Sequence, residues 1–131
     1  MIRIYAAALV TFLALDFAWL GVVAGAFYRT EMGSLMRERV LWLPALAFYA
    51  LFVVGIIVFV VIPAVERESV ARAVGMGAFF GLVTYATYDL TNLAVLRGFR
   101  AQLALVDMTW GTILCAAVSA VGYLVANRVS G

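Results

Sequence analysis

Residues 41–64 read LWLPALAFYALFVVGIIVFVVIPA, and no charged side chain interrupts them. An α-helix rising ~1.5 Å per residue needs ~20 apolar residues to cross a ~30 Å hydrocarbon layer, so this stretch is long enough to span a bilayer. Pro44 falls in its first turn, where the missing N–H leaves no bond unmade. Three further segments have the same character, at 4–27, 73–96 and 103–126, and nearly all the charged residues lie between or beyond them. The expectation is an all-α chain: a compact bundle of four transmembrane helices forming a single transmembrane domain over residues 1–131.

Composition points the same way. The chain has 131 residues, of which 67% are hydrophobic and 12% charged, and its mean hydropathy is +1.12. A soluble domain of that size must cover its core with polar side chains, and this chain lacks them, so lipid is the solvent that fits. Arg3, together with Ala24 and Ala26, offers a signal-peptide reading of the first segment. Its apolar stretch is too long for an ordinary signal core and carries Asp16 and Trp19 in its middle, so it reads as a retained helix.

The net charge of +2 comes from nine arginines against seven acids, with the arginines at the ends of apolar stretches. That is how helix ends are anchored at headgroups, and nucleic acid is excluded as a partner. Arg3, Arg67, Arg72 and Arg128 fall on one side and Arg29, Arg37, Arg39, Arg97 and Arg100 on the other, too even a division to orient the chain. The chain has no histidine and no lysine, and its one cysteine, Cys115, sits in an apolar run as a small packing residue. Histidine-ligated haem, the usual zinc and di-iron sites, Ser-His and Cys-His nucleophiles and lysine Schiff bases are thereby removed, and no cofactor is expected.

The first connection, 28–40, interleaves Met32, Leu35 and Met36 with charges and reads either as an amphipathic turn in the interface or as a plain loop. The third is so short that the helices it joins must be antiparallel neighbours. Gly21 and Gly25 in helix one, and Gly77 and Gly81 in helix three, have the small-xxx-small spacing that lets helices approach closely. These faces could join helices within the chain or build a homo-oligomer.

Three acids lie within the spans: Asp16 halfway along helix one, Asp89 late in helix three and Asp107 early in helix four. An aspartate at a helix centre costs about 2.5–3.5 kcal/mol on insertion scales, so each should face the bundle interior. Counting ~1.5 Å per residue from the end that holds loops one and three puts Asp89 roughly 10–12 Å and Asp107 roughly 6 Å deep, with Asp16 near the midplane. Tyr85, Asp89 and Asn92 share one helical face, flanked by Tyr88. Asp16, Tyr85, Tyr88, Asp89, Asn92 and Asp107 are therefore the candidate ligand-binding residues, around a cleft for a cation, a proton or a polar headgroup. The structural alternative has Arg29, Arg97 and Arg100 reaching down to neutralise Asp89 and Asp107. Asp16-x-x-Trp19 and Asp107-x-x-Trp110 share a form, but a duplication would pair helix one with helix three, so the likeness reads as coincidence.

The pattern 13–16 LALD with Trp19-Leu-Gly21, Phe27-Tyr-Arg29, 85–92 YATYDLTN, and Leu105-Val-Asp107 with Trp110-Gly111 resembles the bacterial membrane proteins grouped as domain-of-unknown-function family 2177. The resemblance spans essentially the whole chain. It implies a four-helix, multi-pass inner-membrane protein and brings no activity, cofactor or catalytic residue to carry over. Three functions are left open by the residues: a protein binding or translocating a small ligand, cation or proton; a non-catalytic accessory protein with a structural polar cluster; and a lipid-modifying enzyme. The last has least behind it, since without histidine, lysine or a metal cage only tyrosine and carboxylate remain as acid and base.

Overall fold

The computed structural model describes residues 1–33 and 41–130. Helix α1 (Ile2–Ala18) runs into a π-helical turn at Trp19–Val23, breaks at Ala24 (φ −123°, ψ 5°) and resumes as α2 (Gly25–Met32). Helix α3 (Trp42–Ile56) continues through a π-helical turn, Ile57–Val61, into α4 (Ile62–Glu66). Pro63 accounts for the widening: it has no N–H for the carbonyl one turn back, and its ring collides with a regular turn there. Helices α5 (Val70–Val95) and α6 (Ala101–Ser130) are uninterrupted. Ser69 caps α5, its Oγ accepting the Arg72 N–H at 3.0 Å.

The chain is all-α, and four of its helical stretches are long and apolar enough to cross a membrane: Ile2–Val23, Trp42–Glu66, Val70–Val95 and Ala101–Arg128. The first ends short of the expected 27 because the break at Ala24 redirects the chain, and Tyr28 of α2 then packs on Phe99, Leu103 and Ala104. Of the first connection, residues 34–40, with Leu35 and Met36, lie outside the described residues.

Burial is arranged for lipid. Leu43 (83% exposed), Leu51 (73%) and Val95 (70%) point outward, while Asp16, Asp89 and Ser119 are buried. The core joins Ala8 and Phe12 of α1, Phe52, Val53 and Ile56 of α3, and Leu114, Cys115 and Val118 of α6. Helix α6 touches every other rod of the bundle, and α1 and α5 flank it without packing closely on one another.

The α5–α6 contact uses the expected glycines. A methyl built on Gly77 would lie 2.8 Å from the Cys115 carbonyl oxygen, and one on Gly81 would strike the Gly111 carbonyl. That face of α5 is therefore taken up inside the chain, the first of the two uses its spacing allowed. Gly21 has open space around it and Gly25 sits against the Leu20 carbonyl in the break, so this pair forms no packed seam within the chain.

Candidate functional site: an acidic cavity over α6

The gap left between α1 and α5 above α6 is a cavity of about 270 Å³. Asp16, Asp89 and Asp107 all line it, as do Tyr85 and Tyr88. Asn92 does not: the chain folds back after Val95, and Phe99, 7% exposed and set against the Tyr88 ring, takes the wall beyond Asp89.

The three acids are held differently. Asp16 is buried and satisfied at both oxygens: Tyr49 Oη donates to Oδ2 at 3.0 Å and Trp110 Nε1 to Oδ1 at 3.1 Å. Asp107, half-buried, accepts from Tyr28 Oη at 2.8 Å through Oδ1, and that hydroxyl in turn accepts from Trp19 Nε1 at 3.1 Å. Tyr28 lies outside the candidate spans; burial pushes its phenol above the ordinary range, so it stays a neutral donor. Asp89 has no exposed surface, and among the described residues no donor reaches either of its oxygens. The Asp107 carboxyl lines the same cavity, itself an acceptor unless a proton sits between the two.

Trp19 and Trp110 stack face to face, with centroids 4.5 Å apart and planes at 4°. Because α1 and α6 run antiparallel, the two Asp-x-x-Trp motifs meet in opposite sense. Trp110 reaches Asp16 directly, and Trp19 reaches Asp107 through Tyr28. The likeness read as coincidence is thus a matched pair of contacts.

Residues 1–124 match the family model described as "Predicted membrane protein (DUF2177)". The chain belongs to this family. No curated protein and no solved structure matches it.

In this DUF2177 protein the arginine alternative finds no support among the described residues. The one ion pair there joins Arg100 Nε to Glu31 Oε2 at 3.9 Å, and no guanidinium pairs with Asp16, Asp89 or Asp107. Nor does any group of three acidic or cysteine side chains among them converge closely enough to hold a metal ion. The cavity wall brings three carboxyls together: Tyr49 and Trp110 donate to Asp16 and Tyr28 to Asp107, while the Tyr85 and Tyr88 hydroxyls, also in the wall, donate to none of the three. Sequence reasoning missed Tyr28 and Tyr49 and drew no contact with the acids from the tryptophans. The paired Asp-x-x-Trp motifs on antiparallel helices were the signal for Trp19 and Trp110. Nothing local marks Tyr28 or Tyr49, which reach their acids from other elements.

Proposed function

We propose that this protein is a multi-pass inner-membrane protein, one transmembrane domain, whose cavity binds a small ligand bearing hydrogen-bond donors and positive charge. The observation that carries this reading is Asp89, sealed from solvent, without a donor at either oxygen and in one cavity with a second carboxyl. A fully buried carboxyl beside a second acceptor needs a donor between or beside them. A proton shared by the pair is the smallest one available, and a ligand ammonium is the donor that also balances charge. Asp107, half-buried, is the acid a ligand meets first, and Asp89 adds its charge from behind. Asp16, already satisfied, fixes the tryptophan wall. An inner membrane is favoured because helical spans suit it, whereas outer membranes carry closed β-barrels.

The test is methylammonium binding to the protein reconstituted in vesicles, with proton movement followed by a trapped pH-sensitive dye. Asp89→Asn and Asp107→Asn are expected to lose binding at least tenfold and to abolish any proton release that accompanies it. Unchanged binding and proton release in both variants would remove the proposal.

A further inference from the structure

Beside the acidic cavity lies a second, larger space of about 540 Å³ between α3 and α5, walled by Phe48, Phe52, Thr84 and Thr87. It shares Tyr85, Tyr88 and Asp107 with the cavity, so the two spaces meet at the acids. The threonines make it no more polar. Thr84 Oγ1 donates to the Phe80 carbonyl and Thr87 Oγ1 to the Val83 carbonyl, both at 2.8 Å, so their hydroxyl protons are spent on the helix backbone. Its wall is therefore hydrocarbon and aromatic rings along its length, with the carboxyl of Asp107 at one end. Phe48 and Tyr88, 48% and 53% exposed, lie on faces that meet lipid in a membrane.

We infer that the ligand is an amphiphile: an apolar tail lies in the α3–α5 groove and a donor-bearing, cationic head free of phosphate sits at Asp107 and Asp89. This rests on the binding reading proposed above and names the class of ligand. Three observations select the occupant. The cavity alone falls below the ~300–1,000 Å³ of typical ligand pockets, while the groove lies inside that range, so head and tail divide naturally between them. Asp89, without a donor and in the same cavity as the Asp107 carboxyl, calls for N–H or O–H donors and positive charge. Among the described residues no arginine lines either space, so a phosphate beside the carboxyls would meet only like charge from them. A long-chain primary amine is the simplest molecule with these properties. It would enter sideways from the bilayer, where its tail is already dissolved.

Three probes separate the elements of recognition: dodecylamine has head and tail, dodecyltrimethylammonium has tail and charge but no N–H, and methylammonium has the head alone. Binding in a neutral maltoside detergent is read from the fluorescence of Trp19 and Trp110, in a Trp42→Phe background because Trp42 stands 55% exposed on α3. Dodecylamine is expected to bind at least tenfold tighter than either other probe. Asp89→Asn should abolish its advantage over dodecyltrimethylammonium. Thr87→Phe, which fills the groove from an exposed position without adding a fluorophore that competes with the tryptophans, should weaken dodecylamine to the level of methylammonium and leave methylammonium unchanged. Equal affinity for methylammonium and dodecylamine overturns the tail site and leaves the cation-binding reading standing. Equal affinity for the two long-chain probes overturns recognition through donors. Binding of none of the three removes both proposals together.

Discussion

Asp89 and Asp16 line one cavity, and replacing each by asparagine should move stability in opposite directions. Asp89 is fully buried with neither oxygen hydrogen-bonded to a donor, a condition that costs about 1–3 kcal/mol for a polar group and more for a charge. Asparagine keeps the shape and brings an NH₂ that can donate to Asp107, so Asp89→Asn should stabilise the fold by about 1–2 kcal/mol. Asp16 accepts one donor at each oxygen, from Tyr49 and from Trp110. An asparagine there must turn its NH₂ towards one of those donors, losing one bond and orphaning the group behind it, a loss of about 1–3 kcal/mol. Reversible unfolding in mixed micelles, titrated with sodium dodecyl sulfate and followed by helix content, measures both without ligand. A stabilised Asp89→Asn that no longer binds amine would place Asp89 among residues kept for function at a cost to stability. Destabilisation of Asp89→Asn by more than ~1 kcal/mol would mean that a donor holds the acid in place, and would refute the reasoning.

The glycines give a second contrast. In Gly81→Ala the methyl meets Cys115 Cβ at 2.8 Å and the Gly111 carbonyl carbon at 2.9 Å, so α5 and α6 must part at a loss of about 1–3 kcal/mol. Gly75→Ala, with open space around it, should gain about 0.5–1 kcal/mol in helix propensity. The same unfolding titration compares them, and equal effects would contradict the packed seam. Tyr28→Phe leaves the Trp19 N–H and Asp107 Oδ1 without their partner, and should cost about 1–3 kcal/mol and shift tryptophan emission. An unchanged spectrum and stability would show that this bridge is not made. Because burial raises the Tyr28 phenol, the folded chain holds that proton after the unfolded chain has released it. Its contribution is therefore complete below about pH 10 and declines as pH rises further. Alkaline unfolding should accordingly be steeper in the parent than in Tyr28→Phe, and identical slopes would argue against a buried phenol.

Residues 41–64 declare a membrane helix because periodicity hardly matters when every side chain is apolar; length and the absence of charge suffice. The same argument found the other three spans and placed Asp16, Asp89 and Asp107 inside, since the cost of a carboxyl in hydrocarbon needs no knowledge of neighbours. Helix interruptions were less legible. The π-helical turn before Pro63 follows from a residue type, whereas Gly25, which sits against the Leu20 carbonyl in the break at Ala24, suits a packed helix face equally well when read along the sequence. Asn92 shared a helical face with Asp89 and still missed the cavity, because a face runs the length of a helix while a cavity ends where another element closes it.

Sequence by itself thus determined the solvent, the number of spans and the absence of histidine and lysine chemistry, all properties that one residue or one segment carries alone. Tertiary structure decided which acid has partners. Tyr49 comes to Asp16 from 33 positions away, Trp110 from 94, and Tyr28 to Asp107 from 79, while nothing among the described residues comes to donate to Asp89. A hydrogen bond acts over ~3 Å of space whatever the separation along the chain, so the difference between a scaffold carboxyl and an available one exists only once the helices are packed.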